Sequence, residues 1–138
     1  MKWLGGIGVS LAVLLIAACA TNTARAPGAD LTKLKTFYVV RTPEDERGTE
    51  KLIARRLTAL GYRGIHGDSP TPPEKVDAIV TYNDRWKWDS TMYMIQLDIQ
   101  IRDPWGAMLA SGQVMRPSRQ HTSPEDMVEE TLGQIFNK

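Results

Sequence analysis

The sequence predicts an α+β domain in two layers, with two helices packed on one face of a mixed β-sheet in the order β-α-β-β-β-α. Three observations carry this. "VDAIVTYNDRWKW" and "MYMIQLDIQIRD" alternate apolar and polar residues with a period of two. Two other stretches repeat apolar residues at helical spacing, and strand-like runs flank the first of them. A helix with one apolar stripe must bury it, and a sheet with one apolar face is the complementary surface.

The first strand is expected within residues 33–41, "KLKTFYVVR", a β-branched and aromatic run of strand length. In "TPEDERGTEKLIARRLTALG", Leu52, Ile53, Leu57 and Leu60 form one stripe that Gly61 closes at the C-terminal end. Thr42-Pro43-Glu44-Asp45 has the form of an N-terminus, with a hydroxyl cap, proline at the first position and acids in the first turn; Gly48 leaves a later start open. "GYRGIHG" follows as a short strand. In the long hairpin, Ala78, Val80, Tyr82, Trp86 and Trp88 share one face, as do Tyr93, Ile95, Leu97, Ile99 and Ile101. Both faces reach the core if Tyr82 pairs with Ile99 and Trp88 with Tyr93, across an even-numbered loop around Ser90-Thr91. Asp84 then lies on the core side near its wetter end. "DPWG" makes the next turn. A fifth strand is expected over residues 107–116, with Met108, Ala110, Gly112 and Val114 as its apolar set. The closing helix, "SPEDMVEETLGQIF", repeats the hydroxyl-proline-acid opening and buries Met127, Val128, Leu132, Ile135 and Phe136.

Ahead of the domain, Lys2 gives a short positive region, residues 4–16 are uninterruptedly uncharged and mostly apolar, and Ala17-Ala18 are small. This is the grammar of a secretory signal, too short to span a bilayer. Cys19, the one cysteine of the chain, follows at once. Ile16-Ala17-Ala18-Cys19 resembles the bacterial lipoprotein signal. That resemblance implies cleavage before Cys19, diacylglycerol on its sulfur and an acyl chain on its amine. It also implies the outer membrane, facing the periplasm, over the inner membrane, because Ala20 stands where an aspartate commonly retains such proteins. Residues 1–18 are therefore expected as signal peptide, 19–33 as lipidated cysteine and flexible tether, and 34–138 as a single periplasmic domain. The element order resembles small bacterial outer-membrane lipoprotein domains of an uncharacterised family, including those with a strand beginning aspartate-alanine-aliphatic, as Asp77-Ala78-Ile79 does. It is also similar to the lipopolysaccharide-assembly lipoprotein. These likenesses rest on apolar patterns, and no functional residue transfers with them.

The chain has 17 basic and 16 acidic residues, and loss of the signal removes Lys2 alone, leaving an electroneutral remainder. Nucleic-acid binding needs a basic surface that releases counterions, so nucleic acid is excluded as a partner. His66 and His121, the two histidines, lack the acid-rich spacing of a zinc site, and no metal or cofactor is expected. No phosphate-cradling loop or nucleophile elbow appears after the signal. The expected function is therefore non-enzymatic: a membrane attachment through Cys19 and the binding or scaffolding of an envelope protein partner. The alternative is a small cell-wall hydrolase or amidase. The partner-binding surface is expected on the sheet face away from the helices, at Arg85, Lys87, Met94, Gln96 and Asp98, with Trp105 on the adjoining turn. Long side chains of both signs, a methionine and an exposed aromatic are interface-prone types.

Overall fold

The computed structural model describes residues 21–116 and 121–138. Residues 1–18, expected as a signal peptide, and Cys19 lie outside the described residues. Chain order is β1 (Thr21–Arg25), a 3-10 turn (Leu31–Lys33), β2 (Thr36–Val40), α1 (Thr49–Ala59), β3 (Arg63–Gly67), β4 (Ala78–Asp89), β5 (Thr91–Arg102), β6 (Met108–Met115) and α2 (Pro124–Phe136). The strands form one six-stranded sheet in the order β1-β6-β5-β4-β2-β3. β2 runs parallel to β3 and β4, and the remaining pairs are antiparallel, so the α+β fold with a mixed sheet is the one observed.

Register aligns a single apolar row across the sheet. Val39 stands beside Val80, Val80 beside Ile101 and Ile101 beside Ala110. One step along, Tyr82, Ile99 and Gly112 line up, and Leu97 meets Val114. Ile53, Ala54 and Leu57 of α1 join this row in one core with Met127, Val128, Leu132 and Ile135 of α2. Both helices thus lie on the same face. Gly112 is required there: a Cβ would stand 2.7 Å from Ile135 Cγ1. α2 begins as the sequence suggests, with Ser123 Oγ accepting the Asp126 N–H at 3.1 Å and Pro124 in its first turn.

Four expectations are corrected. First, residues 21–25, expected within a flexible tether, form a strand that pairs antiparallel with β6 along its full length. Every residue of β1 is exposed, so no apolar alternation betrays it. Backbone ladder bonds hold it, reinforced by the Arg25 guanidinium donating to the Ile135 carbonyl at 2.7 Å.

Second, of the two starts left open for α1 the later one is observed, at Thr49 with Gly48 as N-cap at φ 76°, and the start at Thr42 is set aside. Third, a bulge between Arg85 and Trp86 shifts the hairpin by one residue. Tyr82 does pair with Ile99, but Trp88 pairs with Met92 instead of Tyr93. Met94 therefore enters the core and Tyr93 stacks on His121 with ring centroids 4.5 Å apart, while Trp88, near the hairpin tip, is 69% exposed. Fourth, the face away from the helices is not open throughout. Tyr38 is buried there, its hydroxyl donating to the Ser69 carbonyl at 2.7 Å beneath the proline-rich loop.

α1 and β3 approach so closely that a Cβ at Gly64 would stand 2.3 Å from the Ala54 carbonyl oxygen. Backbone cannot yield as a side-chain tip can. Gly64→Ala should therefore destabilise the domain by about 1–3 kcal/mol. A urea melt that leaves the midpoint unmoved would refute this contact.

Candidate functional site

β2 ends at Val40, whereas β4 continues to Asp89, so beyond Val80 one edge of β4 has no strand beside it. The connection from β2 to α1 fills that gap. Thr42 is fastened to β4, its N–H donating to the Tyr82 hydroxyl at 3.2 Å and its own hydroxyl to the Tyr82 carbonyl at 2.7 Å. Asp45 then turns inward and is 7% exposed. Its Oδ1 accepts the Arg47 N–H at 2.7 Å, and its Oδ2 accepts the Thr49 N–H at 3.0 Å and the Tyr82 hydroxyl at 2.5 Å. The N-cap Gly48 has no side chain, so Asp45, three residues upstream of it, satisfies the first free amide of α1, that of Thr49.

Burial alone would raise the Asp45 carboxyl. The hydrogen bonds from Tyr82, from the Arg47 and Thr49 amides and with Glu50 outweigh that and hold it below the usual aspartate range. Burial, followed by the bond to Asp45, pushes the Tyr82 hydroxyl up. Asp45 therefore stays a carboxylate and Tyr82 a donor at neutral pH.

A cleft of about 520 Å³ opens above this cluster, lined by Glu44, Glu46, Arg47, Asn83, Asp84 and Trp86 among others. Asp84 Oδ2 accepts from the Thr49 hydroxyl at 2.7 Å and from the Trp86 indole at 3.0 Å. The Arg47 guanidinium lies 4.4 Å over the Trp86 ring. The Asp45 and Asp84 carboxylates are thus occupied in joining α1, the loop and β4. No group of three His, Cys, Asp or Glu side chains among the described residues is placed to hold a metal ion. His66 is exposed on the outermost strand β3, and His121 is exposed against Tyr93, so the two histidines form no joint site.

The expected partner surface is divided. Arg85 and Lys87 are exposed on the hairpin and Asp98 is half-buried. Met94 is 1% exposed in the core and leaves the set, because the bulge reverses its side. Gln96 is 8% exposed and donates to the Asp98 carboxylate at 3.2 Å, so it presents little to a partner. Trp105 is 89% exposed, but it sits beyond Arg102 at the opposite end of β5 from Arg85 and Lys87. Cys19 lies outside the described residues. The residues that pattern reading missed are Trp88 and Met92, an exposed cross-strand pair near the hairpin tip. The only cue to them was the run "MYMI", apolar at every position and so silent about parity.

No family model matches the sequence, and no curated protein does. Among solved structures, the chain is similar to the PelC dodecamer of Paraburkholderia phytofirmans. The TM-score is 0.57 with 14% identity, over 85% of this chain and 96% of that one. A leucine-to-methionine variant of the same protein gives 0.54 and 15%, over 85% and 93%. At this identity the likeness establishes the fold alone.

Tyr82→Phe should cost about 1–3 kcal/mol, since it strips one donor from a buried carboxylate. Asp45 has a lowered folded-state pKa, so its stabilisation is present above the unfolded value near pH 4 and is lost as pH falls below that. Asp45→Asn should accordingly lower the denaturation midpoint clearly at pH 7 and much less at pH 3. An equal loss at both pH values would contradict the assignment.

Proposed function

We propose that the chain is a lipid-anchored envelope lipoprotein on the periplasmic side of the outer membrane, with Cys19 carrying the lipid and the domain working by protein–protein binding. The observation that carries this reading is Ile16-Ala17-Ala18-Cys19 at the end of the apolar run from residue 4. Among the described residues no helix is long and apolar enough to cross a membrane; in this reading the attachment is the acyl chains. Each buried methylene contributes about 0.8 kcal/mol, so several chains anchor durably.

The partner best supported is a further copy of the same chain. The similar PelC structures are dodecamers. Here β1 and β3 are the two outer strands of the sheet, and each pairs on one side only. Unpaired strand edges are templates for pairing, and contact between two different edges repeats head-to-tail into a ring or a filament.

Cells fed a radioactive fatty acid should label the wild-type protein and fail to label Cys19→Ser; label retained in the variant would end the lipoprotein reading. Light scattering on the detergent-solubilised lipoprotein is expected to give a multiple of the protomer mass. A monomer at every concentration would remove self-assembly.

A further inference from the structure

Beyond the ladders to β2 and β6, the β4–β5 hairpin continues as a two-stranded arm. β4 pairs with β2 only through Val80, and the β5–β6 register begins at Gln96. Near the tip, Trp88 and Met92 face each other across the two strands, 69% and 38% exposed. Arg85 and Lys87 are exposed on the same arm, against one acid, Asp89.

The arm points the same way as the start of the domain. Thr21 is level with Val114, and Val114 with Leu97, so the chain leaves β1 backwards toward the hairpin tip. Cys19 is two residues before Thr21, and two residues reach about 7 Å at full extension. Met92 lies five positions beyond Leu97, which is about 17 Å at the rise of a strand. β5 is two strands away from β1, a lateral offset of about 10 Å. The arm therefore overshoots the attachment point by roughly 10 Å, more than the headgroup layer of one leaflet, about 5–8 Å.

We propose that the tip of the β4–β5 arm, through Trp88 and Met92, inserts into the phospholipid leaflet that holds the acyl chains of Cys19. The inference rests on the lipid attachment proposed above and adds an orientation to it. Tryptophan favours the membrane–water boundary because its ring is apolar and its N–H polar, and Met92 extends the apolar side of the tip. Lys87, level with Tyr93, falls at headgroup depth, where basic side chains meet anionic phospholipid, and Arg85, level with Gln96, stands just outside it. The other strongly exposed tryptophan, Trp105, is at the far end of β5 and points away from this membrane, which makes it an internal control.

The test uses the full lipoprotein in phosphatidylethanolamine–phosphatidylglycerol vesicles with brominated acyl chains, reading tryptophan emission, with the acylation state of Cys19 measured by mass spectrometry on the same sample. We expect quenching in the wild type, loss of most of it in Trp88→Phe, and its retention in Trp105→Phe. Quenching that survives Trp88→Phe but disappears in Trp105→Phe would reverse the orientation and overturn the proposal. Acylated Cys19 without any quenching overturns the arm insertion while leaving the anchor in place. Unacylated Cys19 overturns the anchor, and the insertion with it.

Discussion

β5 is the strand on which the rest of the molecule depends. Leu97, Ile99 and Ile101 are fully buried, β4 and β6 flank them, and α2 packs across them. A slip of one residue along this strand would turn all three toward the opposite face and unseat both neighbours. The aromatic group of Phe37, Tyr62 and Phe136, with centroids 5.0–5.6 Å apart, closes the same core beside β2 and ties the C-terminal turn of α2 to the end of α1. The chain has a single cysteine, so no internal disulfide supplements this packing.

Much of this was legible because the apolar signal was one-sided. Val80, Tyr82, Ile99 and Ile101 alternate with Thr81, Asn83, Gln100 and Arg102, so face and pairing follow directly. Past Arg85 the signal fails. Trp86-Lys87-Trp88 alternates equally well with or without a bulge, and Met92 through Ile95 are apolar in either parity. Solvent and geometry decide there, and they send Met94 into the core and leave Trp88 exposed near the tip. β1 was hidden for a different reason. A peripheral strand whose side chains all face water needs only backbone partners, and "TNTAR" carries no pattern that distinguishes it from a linker.

The segment between β2 and α1 shows how a local motif yields to tertiary context. Thr42-Pro43-Glu44-Asp45 has every feature of a helix start, yet Thr42 is captured by Tyr82 of β4 and the helix is delayed until Thr49. Arg41 reinforces the detour, donating to the Asp45 carbonyl and pairing with Asp68, each at 2.8 Å. Asp45, one of the acids counted as a first turn, therefore does capping work from outside the helix. That is why the buried carboxylate near the candidate cleft needs no catalytic explanation.

The position of β1 also bears on the order in which the domain is made. Asn22 and Gln113, which bond side chain to side chain across β1 and β6, are 91 positions apart in the chain. On the proposed export route the N-terminal segment crosses the inner membrane first, yet its strand partner arrives almost last. Until β6 emerges, residues 21–25 have no ladder to join, so on that route Cys19 would still be accessible for the proposed cleavage and acylation. Completion of the sheet then draws that segment into the fold, so on that route processing would precede maturation through chain connectivity alone.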